Sequence, residues 1–465
     1  MTLLAPGSRI VDADTGAVLD GAPLLTEVER QADRLAALPD GVLFARTGAD
    51  VASVLSYLAA FQAERAVALI DPKLDVPVLA MLIERYRPAA VLGAPAAEPP
   101  AGYRAEDRNW LRLDPHGIRP HRDLAVVLPT SGSTGNPKLV RLSRKAILTN
   151  AHAIADVLGI TEREVAPTTL PLNYAYGLSV LNSHLVSGAT VVVEREGLLG
   201  RGFWDTAAAH ECTSVAGVPY HYEVLSKQGF DPSANPGVHT MTQAGGRMRP
   251  ELVAEFDELM RAAGGRLFVM YGQTEAAPRM AIMPAERLVE KIGSVGPALP
   301  GGRFAVRRQD GTETTQPKIS GEIVYRGPNV MMGYAENAAQ LALGDECGGV
   351  LATGDLGYLD EEGFLFVTGR LKRIGKVFGN RISLDDLEQA ARATGLGIDL
   401  VAAVPADDKV VLFAEGVAEE TCRAASQALS DRLHLHASGF DVRPIDTIPL
   451  LANGKIDYQA LTEQI

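Results

Sequence analysis

Three cysteines in 465 residues, Cys212, Cys347 and Cys422, stand far apart with no paired spacing. That argues against a disulfide framework and a zinc site, and for a reducing compartment. Basic charge is also short. The chain has 44 Lys and Arg against 57 Asp and Glu, a formal net charge of −13. Nucleic-acid binders usually carry a basic face, so no DNA or RNA partner is expected, and any polyanionic ligand needs a local cationic site. No apolar stretch approaches the ~20 residues of a membrane-spanning helix. The opening "MTLLAPGSRIVDADTG" has neither a basic head nor an apolar run, so no secretory signal is expected and the chain reads as cytoplasmic. No internal repeat is visible. What is present is an ordinary globular composition, 46% hydrophobic and 22% charged, in a chain long enough for two or three domains.

Apolar runs alternate with helical patterns through the first half. "GVLFA", "AVALIDP", "AAVLG", "ATVVVE", "SVAGV" and "RLFVMY" read as strands. "VASVLSYLAAFQAE", "DVPVLAMLIERYRP", "RKAILTNAHAIADVLG" and "PELVAEFDELMRAAG" read as the helices between them. This alternation predicts parallel sheets covered by helices. From about Gly293 the texture changes to short strands with Gly and Asp turns, which suggests an antiparallel β region. After Arg370 comes a compact α+β tail of about 95 residues, with strands "DLVAAVPA" and "KVVLFAEG" and a helix over "TCRAASQALSDRLHLHA".

One stretch is dense in breakers and donors. Thr130 to Leu139, "TSGSTGNPKL", holds three Gly or Pro, four hydroxyls, an amide and one Lys. A surface hairpin between two strands is one reading. A phosphate cradle is the other, because Gly lets backbone N–H groups converge on an anion while hydroxyls and Lys add donors and charge. It is not the common triphosphate loop G-x-x-x-x-G-K-[ST], since Asn136 and Pro137 follow Gly135. Four further segments stand out: "MYGQTEAAPRM" (270–280), "TGDLGYLDEEGFLFVTGR" (353–370), "RLKRIGKVFGNRISLDDLE" (370–388) and "NGKIDY" (453–458). Taken singly, each reads as turn, cap or solvated face. Their order and spacing carry more.

The series "TSGSTGNPK", "YGQTE", "GEIVYRGPNVMMGY", "TGDLGYLDEEGFLFVTGR" and "NGK" resembles the successive core motifs of the adenylate-forming superfamily of acyl-CoA synthetases, luciferases and peptide-synthetase adenylation domains. The likeness runs from about Ala63 to Lys455 and is nearest to stand-alone acyl-CoA synthetase-like ligases. It implies an α/β fold: an N-terminal domain (1–369) of two αβ lobes plus a β-barrel-like lobe, a hinge at 370–372 centred on Lys372, and a small mobile α+β domain (373–465).

It also implies roles. Thr130, Ser131, Gly132, Ser133, Thr134, Gly135 and Lys138 would hold the β- and γ-phosphates of ATP. Gly245, Gly246 and Arg247 would line the adenine and acyl site. Tyr271, with Gly272, would stack on adenine, Thr274 would lie near the α-phosphate, and Glu275 would bind Mg²⁺. Asp355 would take the ribose hydroxyls, helped by Arg370, and Lys455 would be the catalytic lysine. Tyr174, Ala175, Tyr176, Gly177, Tyr220, His221 and Ala244 would line the acid pocket, His221 reading equally as a packed helix-start residue. Lys376 and Gly379 would border the thiol path.

The implied reaction joins a carboxylate to the α-phosphate of ATP, releases pyrophosphate, and passes the acyl group to CoA or a carrier-protein phosphopantetheine. A carboxylic acid is already ionised at neutral pH, so no general base is required; the difficulty is bringing anions together, which preorganised cations relieve. Two departures from the common pattern leave acid and acceptor open: Gly375 stands where many relatives are aliphatic, and Asn173-Tyr174 replaces an aromatic or His pair. An amine acceptor and nitrite activation for diazotisation of an arylamine stay open beside the thiol reading. A phosphotransferase making ADP and a nucleotide sensor are weaker alternatives. No Asp stands where an α-amino group would need one, which argues against amino-acid activation. An acyl carrier protein is an open partner, and either a monomer or a homodimer is compatible.

Overall fold

The strand Val67–Ile70 is buried at every position, as expected of a strand covered on both faces. The helix before it, Val51–Gln62, is apolar nearly all round and buries eight of its residues; Asp50 caps it by accepting from the Ser53 N–H. By contrast the helix Gly21–Ala36 buries a single stripe, Leu24, Val28, Ala32 and Leu35. These are the elements of a mixed α/β protein. The computed structural model describes residues 2–129, 138–371, 373–378, 380–451 and 454–465. It divides into two compact units, Met1–Arg303 with Tyr325–Leu351, and Phe304–Val324 with Ala352–Ile465.

The first unit holds three sheets. The largest has eight strands in the order Gly333–Ala335, Leu139–Ser143, Leu124–Pro129, Val67–Ile70, Leu43–Arg46, Ala90–Leu92, Asn109–Arg112, Tyr103–Glu106. Its central four are parallel, as the strand–helix alternation predicts. A second sheet orders Ser214–Gly217, Thr240–Gln243, Arg266–Gly272 and Arg279–Ile282; the first three are parallel and the fourth turns back. The third contains Val165–Pro167, Thr190–Val193, Arg9–Asp12 and Val18–Asp20. Its N-terminal strands are four and three residues long, too short to carry a period, and the sequence reading assigns nothing there.

The antiparallel region expected after Gly293 is present. Val350–Leu359 pairs antiparallel with Leu365–Arg370, and Arg303–Arg307 with Glu313–Thr314. The tail of the second unit has a hairpin, Ile374–Val377 with Asn380–Ser383, and a three-stranded sheet. In that sheet Val401–Ala406 and Lys409–Glu415 are the strands read from sequence, and Phe440–Ile445 adds a parallel edge. The edge strand escapes the sequence reading because it mixes polar residues with Pro444, which only an edge tolerates readily. The helix Glu419–Leu433 stops earlier than "TCRAASQALSDRLHLHA" suggests, because His434 adopts a left-handed φ of +54° and caps it.

Candidate active site

The breaker-rich loop joins two strands that pair up to its base. Leu124–Pro129 and Leu139–Ser143 are antiparallel, with Pro129 opposite Leu139. Both readings of the loop need such a base. Thr130, Ser131, Gly132, Ser133, Thr134 and Gly135 lie outside the described residues, as do Lys372 and Gly379. Lys138 is described: its Nζ is 2.8 Å from Glu336 Oε1, with both side chains about half exposed. Two residues into the strand, the fully buried Arg141 pairs with Glu346 and donates to the carbonyls of Met332, Tyr334 and Gly344. One buried guanidinium thereby ties the strand Leu139–Ser143 to the segment 332–346. Ser143 then caps the helix Arg144–Leu158 through the Ala146 N–H.

The second sheet delivers three of the predicted segments to one place. Ser214–Gly217, Thr240–Gln243 and Arg266–Gly272 run parallel in register, Gly217 opposite Gln243 and Gln243 opposite Val269. Residues 218–221, 244–247 and 271–275 therefore leave the same, carboxyl end of one sheet, where ligands of open α/β sheets bind. Gly245 has a φ of +86°, and a Cβ there would meet Tyr174 Oη at 2.3 Å, so only glycine fits against this tyrosine. Buried Gln243 donates to the Gly246 carbonyl at 2.9 Å and fixes the turn; Ala244 is fully buried beneath it. Tyr174 precedes the helix Ala175–Leu185, which carries Tyr176 and Gly177. The Tyr174 and Tyr176 rings meet edge-on with centroids 6.2 Å apart. Tyr176 is buried and bonded to Thr242, and burial pushes its phenol up to about 12.

His221 opens the helix Pro219–Lys227, where its Nδ1 accepts from the Val218 N–H at 3.4 Å. Burial pushes its imidazole down to about 4, so it is neutral at pH 7. It stands at the start of that helix.

Tyr271 and Gly272 close the strand Arg266–Gly272 at a bulge, with Gly272 opposite Arg279. Thr274 and Glu275 form a short 3-10 turn. Two asparagines that sequence reasoning missed hold that turn. Asn150 donates to the Arg279 carbonyl (2.7 Å) and accepts from its N–H (3.0 Å). Asn329 donates to the carbonyls of Ala276 (2.6 Å) and Arg279 (2.9 Å) and accepts from Tyr325 Oη (2.8 Å). Glu275 Oε1 accepts from Tyr334 Oη at 2.8 Å. No sequence signal marks either Asn; each lies in an otherwise ordinary helix or loop, and only the fold brings them to 276–279.

In the second unit, Asp355 and Arg370 face each other across their hairpin in direct register. Arg370 Nε lies 3.0 Å from Asp355 Oδ1; the carboxylate side chain is 3% exposed and the arginine 59%. Lys376 is exposed on the strand Ile374–Val377. A Cβ on neighbouring Gly375 would come within 2.7 Å of a Val410 methyl and 2.9 Å of a Leu384 methyl, so an aliphatic residue here would need both side chains to shift. The Lys455 carbonyl accepts from the Leu451 N–H at 2.7 Å. Asp457 next caps the helix Tyr458–Thr462.

Residues 46–335 match the AMP-binding enzyme family. The chain belongs to that family. It is 32% identical over 266 residues, 56% of its length, to an oxalate–CoA ligase of Arabidopsis thaliana. It is 31% identical over 296 residues, 61% of its length, to a 2-succinylbenzoate–CoA ligase of Bacillus pumilus. The matches span 51% and 58% of those relatives' own lengths, little more than half. The fold is that of the O-succinylbenzoate Coenzyme A Synthetase (MenE) from Bacillus subtilis, solved in complex with AMP, with a TM-score of 0.77 at 23% identity over 98% of this chain and 95% of that one. The family match takes in the breaker-rich loop, "QAGGRM" and "YGQTE". Asp355, Arg370, Lys376 and Lys455 lie beyond its end.

Proposed function

We propose that this AMP-binding enzyme joins a carboxylic acid to the α-phosphate of ATP, releases pyrophosphate, and passes the acyl group to the thiol of CoA. The observation that carries the reading is the common exit of 218–221, 244–247 and 271–275 from one end of a parallel sheet. A nucleotide and an acid held there would meet backbone donors at Gly245 and Gly246, an aromatic face at Tyr271 and the carboxylate of Glu275. The relatives named as CoA ligases and the AMP in the similar synthetase agree with this chemistry.

Mg²⁺ suits Glu275. Among the described residues no cluster of three His, Cys, Asp or Glu side chains forms a cage. Mg²⁺ bound with a nucleotide uses one or two carboxylates and completes its shell with phosphate oxygens and water. When bound it would neutralise charge on the phosphates. The chain's own residues do the rest. Thr274 and Lys455 stabilise charge at the reacting phosphate, Lys138 and the loop 130–135 hold the leaving side, and Asp355 takes the ribose. For the second step we propose that the region after Lys372 turns about that residue and brings Lys376 and Gly379 to the site in place of Lys455.

The test is product analysis with a panel of acids and acceptors. AMP and pyrophosphate should form only when an acid is present; ADP and phosphate as primary products would refute the reading. Lys455→Ala should depress acid-dependent pyrophosphate exchange by about 10²–10³-fold, the scale of one preorganised donor. Gly379→Leu should depress transfer to CoA and spare exchange. A carrier-protein thiol, an amine or nitrite replacing CoA or the acid would be read from the same panel.

A further inference from the structure

Among the described residues the buried arginines are Arg112, Arg141 and Arg279, and of these Arg279 alone has neither a counter-charge nor a full set of acceptors. Arg141 has Glu346, and Arg373 has Asp385 and Glu388. Arg112 donates to the carbonyls of Asp40, Arg87 and Asp114. Arg279 is 2% exposed, forms no ion pair among the described residues, and leaves Nε without a hydrogen-bond partner. Its guanidinium carbon lies 4.7 Å from the centroid of the Tyr176 ring. A desolvated cation with only a ring face beside it is costly unless an anion completes it.

The position is fixed. Asn150 and Asn329 grip the Arg279 backbone at 2.7–3.0 Å, and Arg279 stands opposite Gly272 in the sheet. Arg279 and Tyr176 wall a cavity of about 30 Å³ whose lining mixes apolar side chains such as Ile154, Val180 and Met270 with the polar Ser179, His184 and Thr242 and the charged Glu164 and Arg266. By that measure it has room for roughly two water molecules, about the bulk of one carboxylate. Glu164 on the same wall is already engaged by Thr213 Oγ1 (2.6 Å) and lies 3.6 Å from His239. Through the edge-on Tyr174 and Tyr176 pair, Arg279 adjoins the residues set against Gly245. Beside Tyr174, Asn173 Oδ1 is likewise buried without a partner.

We propose that Arg279 binds a second carboxylate on the acid, so that the substrate is a small dicarboxylic acid held at one end by Arg279 and activated at the other. This rests on the acid-activating reading of the site. The fork of a guanidinium matches a carboxylate at two donors, and a site built for a charged partner rejects the analogue that lacks it.

The experiment compares dicarboxylic acids of graded length with their monoamides, reading AMP formation. The wild-type chain should prefer the diacid of matching length by at least about 10²-fold in kcat/KM. In Arg279→Met the preference should collapse toward one, and in Arg279→Lys, which keeps charge but loses the fork, it should fall at least tenfold. A wild-type preference for monoamides, or a ratio that Arg279→Met or Arg279→Lys leaves unchanged, overturns the proposal. A second readout separates it from the reading it rests on: the thermal midpoint with malonate, succinate or phthalate and no nucleotide. Stabilisation that disappears in Arg279→Lys supports the anion site even where no acid yields AMP. No stabilisation by any of these, together with no diacid preference, overturns it.

Discussion

Replacing Arg373 with methionine should loosen the C-terminal region from within. The Arg373 side chain is 18% exposed; it pairs with Asp385 and Glu388, each at 2.7 Å, and donates to the Ala403 carbonyl at 3.0 Å. Its guanidinium also lies 3.9 Å from the centroid of the Tyr458 ring. Glu388, 7% exposed, accepts in addition from the Ala403 N–H (2.8 Å) and Tyr458 Oη (3.2 Å). Burial opposes the charge on Arg373, but Glu388, Tyr458 and Asp385 outweigh it and hold the guanidinium above its ordinary value. Methionine keeps the apolar stem and strands Glu388 without its near cation. Breaking a buried pair this way costs about 3–5 kcal/mol. Arg392, 3.7 Å from Glu388 Oε2, offers partial relief, so the lower end, about 3 kcal/mol, is expected. Adding Glu388→Gln should return about 2 kcal/mol, because the amide oxygen still accepts from Ala403 and Tyr458 while the stranded charge is gone.

Tryptophan fluorescence is the wrong assay, since Trp110 and Trp204 both lie in the first unit. Hydrogen exchange of the Val401–Ala406 amides reads the right region and does not require the whole chain to unfold in one step. Because Tyr458 stands three residues after Lys455, acid-dependent pyrophosphate exchange should fall with the same substitution. Unchanged exchange of the Val401–Ala406 amides in Arg373→Met would refute the reasoning. So would a double variant that loses the full sum of the two single effects.

Asp355→Ala should weaken ATP binding roughly tenfold or more, since charge-assisted hydrogen bonds are worth about 1.5–3 kcal/mol each; unchanged affinity by calorimetry in a folded variant would refute a ribose role for Asp355. Glu336→Gln frees Lys138 from its 2.8 Å pair and should raise ATP affinity a few-fold, more at low salt; weaker binding would argue against a phosphate role for Lys138. His221 governs an acid limb of stability. Its folded value is depressed to about 4, so between pH 4 and about 6.5 the unfolded chain binds the extra proton. Its contribution is therefore whole above pH 6.5 and is lost as pH falls toward 4, by roughly 3 kcal/mol. Thermal midpoints of His221→Gln should fall less steeply over that window, and parallel curves would show that His221 does not titrate on unfolding.

Local pattern carried the sequence reading a long way, and its failures have physical causes. The buried strand Val67–Ile70 and the helix Arg144–Leu158, with Ser143 and Gly159 at its ends, announce themselves through burial and capping chemistry. The Asp355–Arg370 pair was also legible, because a hairpin's register is set by a short turn and the two residues bracket it. The short strands Arg9–Asp12 and Val18–Asp20 were not, because their stability comes from the neighbouring strand Thr190–Val193 about 180 residues away. Asn150 and Asn329 were invisible for the same reason: their partners at 276–279 are far off in sequence.

Charge shows the limit most sharply. Arg141, Arg279 and Arg373 give no sign in the sequence of what each will meet, the first two beside apolar neighbours and the third between Lys372 and Ile374. Folding gives them three fates. Arg141 meets Glu346 and a set of carbonyls and becomes a tie between strand and loop. Arg373 meets two carboxylates and a tyrosine and becomes the centre of a polar cluster in the second unit. Arg279 meets a ring face and a cavity. The cost of burying a guanidinium is similar in all three, so the difference lies in what offsets it. In the first two the protein supplies the counter-charge and the arginine is structural. In the third no described residue pairs with the guanidinium, and an anionic substrate is the partner proposed to complete it. On the proposed reading, substrate choice turns on a carboxylate that no described residue pairs with Arg279, which the family match at 46–335 does not register.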